Sequence, residues 1–254
     1  ISGIDGLEPT LSIIPKTKKI LIANKESIIC GWDLIEKKLI KYKTQFIPID
    51  SEHFSIWSLL NKDNYKDISK VVLTASGGPF LKKPNNSLAN IKPKFALNHP
   101  NWKMGRKISI DSATMMNKIF EIIEAKKIFN LNYDQLEILV HPKSYIHAII
   151  EFKDGMIKII AHDTNMEIPI FNTLQNRKQK NNLINFDNLN LRKMNNLNLN
   201  YINTKKFPVT KIIKYLPSKN TLFETVIVAA NDALVDLFLR KKIKYTDITS
   251  ILLK

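Results

Sequence analysis

Cysteine is nearly absent from this sequence, which has 254 residues and a single cysteine, Cys30. An internal disulfide and a zinc cluster built from several cysteines are therefore excluded within this chain. Long apolar runs are also missing, since none approaches the roughly 20 residues that span a bilayer. No basic segment followed by an apolar one opens the chain, as it would in a secretory signal. We therefore expect a soluble, intracellular protein without a membrane partner.

Arginine is scarce, although the chain is strongly basic. Only four of the 39 Lys and Arg residues are arginine, and the formal net charge is +16. Proteins that read base edges favour the arginine fork, and no basic stretch here carries the interleaved aromatic residues that stack on bases. We therefore expect no nucleic-acid partner. A positive field of this kind suits a small phosphorylated substrate better.

Glycine-rich nucleotide-binding patterns are missing as well. The chain has seven glycines, and neither a GxGxxG fingerprint nor a Walker loop occurs. Two adjacent glycines do follow an apolar run, in the stretch TASGGPF at residues 74–80. Paired glycines permit the close backbone approach that cradles a phosphate. By itself, the same pattern is also that of an ordinary turn.

The chain does contain short apolar runs that alternate with helical periodicity. Strands are predicted at residues 19–23, 45–49 and 71–74, with helices at 26–43 and 52–60. This alternation predicts a parallel sheet. Three strands then follow in succession, at 136–140, 145–152 and 156–161, and the last two are joined by Asp154 and Gly155, which suit a hairpin turn. An antiparallel or mixed sheet is expected there.

The composition changes near the end of the chain. Residues 172–203 are dominated by Asn, Lys and Leu, which is typical of a linker or insertion with little regular structure. Helical spacing returns at 208–215, 221–239 and 246–253 and predicts a small helical domain.

Two acids, Asp50 and Glu52, stand at the end of a predicted strand. In open α/β sheets, ligands bind where strands deliver their carboxyl ends. Two acids two positions apart in extended backbone share a face and can grip one hard cation. The alternative is an Asp that caps a helix, followed by an acid in the first turn.

A second polar cluster lies in the stretch HPNWKMGRKISIDSATMMNKIFEIIE at residues 99–124. Residues 107–110 predict a strand, and Asp111 and Ser112 predict the start of a helix. Helix starts bind anions through free backbone N–H groups, so phosphate is the expected guest. Asn117 and Lys118 would help to hold it.

Glu121 lies on the same predicted helix, four residues after Asn117 and therefore on the same face. We regard it as a candidate third metal ligand beside Asp50 and Glu52. The alternative is a capped amphipathic helix with solvated polar side chains. Residues 99–105 upstream predict either a flap that closes over substrate and excludes water or an ordinary loop pinned by Trp102.

Six blocks of the sequence together resemble one enzyme family. They are LIANKES at 21–27, PIDSEH at 48–53, SGGPF at 76–80, HPNWKMG at 99–105, IDSATMMNK at 110–118 and VHPKSYIH at 140–147. In this order and spacing they resemble the 1-deoxy-D-xylulose 5-phosphate reductoisomerase family. Its members use NADPH to make 2-C-methyl-D-erythritol 4-phosphate in the non-mevalonate pathway of isoprenoid biosynthesis. The resemblance is close up to about residue 170 and faint in TVIVAAND at 225–232.

The resemblance implies one Mg²⁺ or Mn²⁺, with Co²⁺ as a further option, that chelates the ketone and hydroxyl oxygens of the substrate. It assigns metal binding to Asp50, Glu52 and Glu121, and catalysis to these acids together with Lys25, Trp102 and His147. The implied substrate-binding residues are Ser51, Glu52, Ser76, His99, Ser112, Asn117, Lys118, Glu121 and Ser144. The implied cofactor-binding residues are Gly3, Asn24, Lys25, Glu26, Met104, Gly105 and Met166.

The fold that the resemblance implies is α/β with four parts. Residues 1–49 would be the C-terminal part of a Rossmann-like NADPH domain, and 50–178 an α+β catalytic domain with a mostly antiparallel or mixed sheet. Residues 179–204 would be a linker, and 205–254 a small helical domain. The glycine fingerprint of the family is absent, so we expect a fragment, truncated at both ends, that alone binds NADPH poorly. We also expect a homodimer, in the bacterial cytoplasm or a plastid-type organelle.

Some positions depart from the family pattern. Ile119 and Phe120 stand where the family has Gly and Leu, and they would crowd the helix before Glu121. Around Met166, and in the C-terminal block, the departures are Thr164, Asn165 and Glu167 for Pro, Asp and Arg, and Val228 and Asp232 for Asn and Glu. Two alternative functions stay open: a homoserine-dehydrogenase-like reductase, and a relative that keeps the metal and phosphate pocket without turnover.

Overall fold

The computed structural model describes residues 3–60, 65–174, 191–195, 197–219 and 221–254. The strands are β1 Lys19–Ile22, β2 Gln45–Pro48, β3 Ile68–Ala75, β4 Leu136–Val140, β5 Ile146–Phe152, β6 Ile157–Ala161 and β7 Asn200–Tyr201. The helices are α1 Leu7–Ile13, α2 Lys25–Tyr42, α3 Ser51–Leu59, α4 Pro93–Ala96, α5 Arg106–Thr114, α6 Met116–Phe129, α7 Glu167–Leu174, α8 Leu191–Met194, α9 Phe223–Leu239 and α10 Tyr245–Leu252. Within these ranges, no helix is both long enough and apolar enough to cross a membrane.

The first part of the chain is a small parallel β/α unit. Strand β1 pairs in parallel with β2, and α2 connects the two. Asn24 begins α2 as its N-cap, because its side chain accepts a hydrogen bond from the backbone N–H of Ser27 at 2.8 Å. The helix ends at Lys43, whose φ of 54° is left-handed. An apolar stripe on α2, including Ile28 and Ile35, packs into a core shared with β1.

The second sheet has five strands in the order β6-β5-β3-β4-β7. Strand β3 runs parallel to β4 and antiparallel to β5, and β6 and β7 pair antiparallel at the two edges. The sheet is therefore mixed, and the prediction of an α/β protein with a mixed sheet is confirmed. The turn between β5 and β6 contains Asp154 and Gly155, as predicted. Gly155 has a φ of 87°, which glycine adopts easily.

Helix α6 is the central helix of the main hydrophobic core. Met116, Ile119, Phe120, Ile122 and Ile123 on this helix are all 0% exposed and belong to one cluster with the central strands of the five-stranded sheet. The predicted crowding at Ile119 and Phe120 does not break the helix, which runs without interruption past Glu121 to Phe129. Both side chains are accommodated by the core.

Two predictions about local structure are wrong. Residues 107–110 are helical rather than extended, because α5 covers Arg106–Thr114. The alternating Ile108 and Ile110 favour a strand locally, but Ile110 is fully buried among residues of the α9–α10 region, and this packing outweighs local propensity. Asp111 and Ser112 consequently lie inside α5 and do not begin a helix.

The described part of the Asn-rich stretch at 172–203 contains more regular structure than predicted, although residues 197–199 and 202–203 lie in no helix or strand. Helix α7 extends to Leu174, α8 covers Leu191–Met194, and β7 pairs with the end of β4. Residues 175–190 lie outside the described residues. Farther on, residues 208–215 form a 3-10 helix, and the two predicted C-terminal helices are α9 and α10.

The burial of α6 gives a direct test of the core. Ile122 on α6 is 0% exposed and Ile40 on α2 is 73% exposed. We expect Ile122→Ala to lower the free energy of unfolding by about 2–5 kcal/mol, because it removes buried methylene groups and leaves a cavity. The same change at Ile40 is the control and should alter it by less than about 0.5 kcal/mol. Equal effects in urea denaturation would contradict this assignment of the core.

Candidate active site

Three acids predicted as metal ligands converge in the structure. One carboxylate oxygen each from Asp50, Glu52 and Glu121 lies within 4.8 Å of the other two. Asp50 follows β2 and caps α3, with its carboxylate accepting from the N–H of Glu52 at 3.3 Å. The capping interpretation is confirmed, and the same geometry leaves the three carboxylates close enough for metal binding. Glu52 lies in the first turn of α3 and not in extended backbone as predicted. Three close carboxylate oxygens fit one hard divalent cation.

Two lysine ammonium groups contact these acids. The Nζ atom of Lys25 lies 2.5 Å from Asp50 and 3.4 Å from Glu121. The Nζ atom of Lys118 lies 2.7 Å from Glu52 and 2.5 Å from Glu121. Both lysine side chains are less than a tenth exposed. Each carboxylate of the triad is thus held by a positive charge that arrives from another part of the chain or from the same helix.

Burial and charge together set the pKa values here. Burial alone would lower the pKa of Lys25, but the neighbouring carboxylates, Asp50 foremost, more than reverse this and raise it well above its usual value. Burial would raise the pKa of Asp50, yet Lys25 and His53 hold it well below its ordinary range. For Glu121, burial and the nearby Glu52 raise the pKa to about 7. Among the three acids, only Glu121 has a raised pKa, so a further positive charge nearby would stabilise its ionised form most.

Two buried groups beside the triad escaped prediction. His53 is 0% exposed; its Nε2 donates to the backbone carbonyl of Glu121 at 3.0 Å, and its Nδ1 lies 3.3 Å from Asp50. Burial lowers the pKa of His53, but Glu124 and Asp50 raise it to about 9. Glu124 is also 0% exposed. A signal was present in the sequence, because each residue lies three positions after a predicted ligand and so one helical turn away.

Ser76 and His99 are hydrogen-bonded to each other at the C-terminal end of β3. The Nδ1 of His99 accepts from the backbone N–H groups of Asn101 and Trp102 at 3.1 and 3.0 Å, so its Nε2 carries the proton and donates to Ser76 Oγ at 3.0 Å. The N–H of Gly78 also donates to that oxygen, at 3.0 Å. Ser76 thus accepts twice and keeps its own O–H to donate to a ligand.

A break between α5 and α6 brings further polar groups to the same place. Met115 separates the two helices with a left-handed φ of 71°. Ser112 lies in the last turn of α5, while Asn117 and Lys118 lie in the first turn of α6. The helix start that can hold an anion is therefore that of α6. Gly78 fits tightly against α5, since a Cβ there would come within 2.9 Å of the Ser112 carbonyl oxygen.

The acid triad, the two lysines, Ser76 and His99 line one cavity of about 1220 Å³. The predicted site residues that line it are Asn24, Lys25, Glu26, Asp50, Ser51, Glu52, Ser76, His99, Trp102, Met104, Gly105, Ser112, Asn117, Lys118, Glu121, Ser144, His147 and Met166. Gly3 does not line it; its carbonyl accepts from the side chain of Asn24 at 2.9 Å. The tertiary structure therefore gathers almost the whole predicted set.

Three family models match parts of this chain. Residues 46–129 match the 1-deoxy-D-xylulose 5-phosphate reductoisomerase C-terminal domain, 163–254 the DXP reductoisomerase C-terminal domain, and 1–31 the 1-deoxy-D-xylulose 5-phosphate reductoisomerase model. A 1-deoxy-D-xylulose 5-phosphate reductoisomerase of Pelagibacter ubique is 59% identical over all 254 residues. The chain belongs to the 1-deoxy-D-xylulose 5-phosphate reductoisomerase family.

A second relative and two solved structures of the reductoisomerase family are also similar to this chain. A relative of the same name from a Sulfurihydrogenibium species is 40% identical over 254 residues. A crystal structure of DOX-P reductoisomerase in complex with NADPH, fosmidomycin and magnesium is 37% identical, covers 99% of this chain and has a TM-score of 0.90. The reductoisomerase of Zymomonas mobilis in complex with NADPH is 34% identical over 99% of this chain, with a TM-score of 0.88.

The chain spans only part of these proteins. It covers 65% of the Pelagibacter relative, 66% of the Sulfurihydrogenibium relative and 64% of each of the two structures. The residues predicted to bind metal and substrate lie within the matched part, because the Pelagibacter relative matches the whole of this chain.

Glu26, which the resemblance assigns to cofactor binding, forms an ion pair within the protein. The carboxylate of Glu26 lies 2.8 Å from Lys107 Nζ, which also contacts Asp111 at 2.9 Å and Asp232 at 3.0 Å. Asp232, which departs from the reductoisomerase pattern, therefore takes part in an ion-pair cluster that joins α2, α5 and α9. Val228, the other departure on α9, is 2% exposed and packs in the core.

The loop at residues 99–105 lies over His147. The rings of Trp102 and His147 meet edge to face with centroids 6.1 Å apart, and the amide of Asn101 donates to Ser144 Oγ at 3.0 Å. His147 also stacks on His162, with the ring centroids 3.8 Å apart. Burial and His162 lower the pKa of His147 to about 4, so this ring is neutral near pH 7.

The hydrogen bonds of His99 predict its protonation state. Burial and Lys118 lower the pKa of His99 to about 4, and both backbone donors point at Nδ1. We expect a neutral ring with the proton on Nε2 throughout pH 5–8, whereas His53, with a pKa of about 9, stays protonated over most of that range in protein freed of metal by a chelator. Long-range ¹⁵N–¹H NMR spectra distinguish the two. A His99 ring that titrates near pH 6.5 would contradict the geometry.

Proposed function

We propose that this chain carries the metal and substrate pocket of an NADPH-dependent reductoisomerase. In this proposal, 1-deoxy-D-xylulose 5-phosphate is rearranged and reduced to 2-C-methyl-D-erythritol 4-phosphate, in the cytoplasm, as a step of isoprenoid biosynthesis. The convergence of Asp50, Glu52 and Glu121 within 4.8 Å, next to a cluster of phosphate-type donors, carries the proposal. The relatives and neighbouring structures named above support it.

The three acids would hold Mg²⁺ or Mn²⁺ against the substrate. A divalent cation supplies Lewis-acid stabilisation of the negative charge that develops on substrate oxygen during the rearrangement. Ser51 lies beside the triad, and its hydroxyl contacts Glu52 at 2.5 Å, where it can also meet a substrate oxygen. Trp102 and His147 would cover the reacting part and exclude water. The neutral His147 ring can hydrogen-bond substrate without adding charge.

The phosphate of the substrate would lie between β3 and the start of α6. Ser76 keeps an O–H to donate, His99 orients it, and Lys118 supplies a positive charge. Ser112, Asn117 and Ser144 line the same cavity. These neutral and cationic donors, held on rigid elements, can fix one end of the substrate, so that its other end is presented to the triad.

The remaining predicted residues would face the cofactor. NADPH supplies the hydride that reduces the rearranged aldehyde. Met104 and Gly105 on the 99–105 loop line the cavity, as does Met166, and Asn24, Lys25 and Glu26 form the N-cap and first residues of α2. These side chains would hold and orient the nicotinamide end. Gly3 would act indirectly, through the hydrogen bond that its carbonyl accepts from Asn24.

Ligand binding tests the pocket directly, because its residues lie in this chain. We expect the 254-residue chain to bind fosmidomycin in a Mg²⁺-dependent way. Asp50→Asn should weaken binding by at least about 100-fold, since it removes a metal ligand. Glu137→Gln, which removes a carboxylate paired with Lys70 away from the cavity, is the matched control and should bind like the wild type. Titration calorimetry with and without chelator makes the measurement.

Turnover then separates the classes of reaction, and it is measured in the full-length parent protein because this chain alone is expected to bind NADPH poorly. Consumption of NADPH with deoxyxylulose phosphate and Mn²⁺ would support the reductoisomerase, while consumption with aspartate semialdehyde instead would favour the homoserine-dehydrogenase-like alternative. Metal-dependent binding without consumption of NADPH at any concentration would favour a relative that has lost turnover. Binding that is insensitive to both chelator and Asp50→Asn would refute the metal site itself.

We also propose that two copies of this chain form a homodimer through strand β6. This strand is one edge of the five-stranded sheet, and its outer residues Ile157 and Ile159 are 60% and 50% exposed, next to Met156 at 53%. An exposed apolar edge strand is a template for pairing with another strand. A second copy, with the same edge, would cover it symmetrically.

The oligomeric state tests this arrangement. We expect a dimer by light scattering, and a monomer for the double variant Ile157→Lys/Ile159→Lys, because charges on the edge oppose pairing. Ile40→Lys changes an exposed isoleucine on α2 and should leave the dimer intact. A double variant that stays dimeric would place the interface elsewhere.

A further inference from the structure

Glu124 is a buried carboxylate that the proposed function leaves without a role. It lies on α6, one turn beyond Glu121, and is 0% exposed. Its Oε2 lies 3.4 Å from Lys25 Nζ and 3.9 Å from His53 Nδ1. Its Oε1 has no hydrogen-bond partner among the described residues. A carboxylate buried in this way is costly unless it offsets a nearby positive charge.

Glu124 stands outside the group of candidate ligands. The oxygens that lie within 4.8 Å of one another belong to Asp50, Glu52 and Glu121, and Glu124 is not one of this set. It is instead the third acid in contact with Lys25, whose other two acidic partners both belong to the triad. Lys25 therefore contacts two candidate metal ligands, Asp50 and Glu121, and one carboxylate outside the ligand set, Glu124.

This sharing matters because an ammonium group and a divalent cation compete for the same oxygens. When Asp50 and Glu121 serve a cation, their negative charge is withdrawn from Lys25, and a like charge stands close to its Nζ atom. Lys118 faces the same competition, but it also lines the phosphate side of the cavity, where a substrate phosphate can take over as its partner. For Lys25, the acid that stays available is Glu124.

We propose that Glu124 is a positioning residue that holds the Lys25 ammonium beside the site while Asp50 and Glu121 bind a divalent cation. The inference rests on the proposed metal site. The Glu124 carboxylate already lies 3.4 Å from Lys25 Nζ, so the two can stay paired without any shift of α2 or α6. It thereby offsets the repulsion between Lys25 and the cation, and keeps Lys25 directed at the cavity.

A double-mutant cycle on Mn²⁺ affinity tests this coupling without relying on turnover. Electron paramagnetic resonance of free Mn²⁺ gives the dissociation constant for the 254-residue chain, for Glu124→Gln, for Lys25→Met and for the double variant. We expect Glu124→Gln to weaken Mn²⁺ binding by about tenfold, as losses around metal ligands commonly do. In the Lys25→Met background, the same change should weaken binding by less than about twofold, because no ammonium group then needs an alternative partner.

The outcomes distinguish this inference from the proposed function. Equal weakening by Glu124→Gln with and without Lys25 would overturn it, because Glu124 would then act on the cation or through His53. Unchanged affinity in the wild-type background would overturn it as well. In contrast, unchanged Mn²⁺ affinity in Asp50→Asn would refute the proposed metal site.

Two further variants keep the test decisive. If circular dichroism shows that Glu124→Gln does not fold, Glu124→Asp replaces it, since it keeps the charge and withdraws the carboxylate by one methylene group. It should then weaken Mn²⁺ binding about threefold with Lys25 present and leave it unchanged without Lys25. Equal losses in the two backgrounds would overturn the proposal. Glu137→Gln controls for loss of a carboxylate elsewhere and should not alter the affinity.

Discussion

Mutual neutralisation of buried carboxylates and lysine ammonium groups is the constraint on which the rest of this structure depends. Asp50 and Glu52 come from the junction of β2 and α3, Glu121 and Lys118 from α6, and Lys25 from the start of α2. Because each of these side chains is at most 15% exposed, each charge is costly without its partner. The packing of three helices around one point is therefore tied to the chemistry of that point.

Helix α6 links the two halves of the pocket. Its first turn carries Asn117 and Lys118, on the side proposed to bind phosphate, and its second carries Glu121 of the acid triad. The distance between the proposed phosphate donors and the proposed cation ligands on α6 is consequently set by one helix, which also packs into the main core. The left-handed Met115 and the close approach of Gly78 to α5 position the end of α5 next to this start.

Local sequence patterns predicted much of this arrangement. Strands β1, β2 and β4 to β6, and helices α2 and α3, lie where their periodicity put them, because each has a clear apolar stripe or run. The prediction failed at α5, where Ile108 and Ile110 resemble a strand but burial against α9 and α10 favours a helix. His53 and Glu124 escaped prediction, although each lies one helical turn after a predicted ligand, because that spacing does not show whether an ionisable side chain is buried or solvated.

The sequence by itself determined the residue types and their order: hard oxygen ligands, lysines, small hydroxyl donors and the six blocks that mark the family. Only the tertiary structure decided which of them meet. Lys25 and Glu121 are 96 positions apart, and no local periodicity brings them together. Their contact follows from the packing of α2 on α6 across the core. The contact between Glu26 and Lys107 likewise depends on tertiary packing, because it requires α2, α5 and α9 to lie side by side.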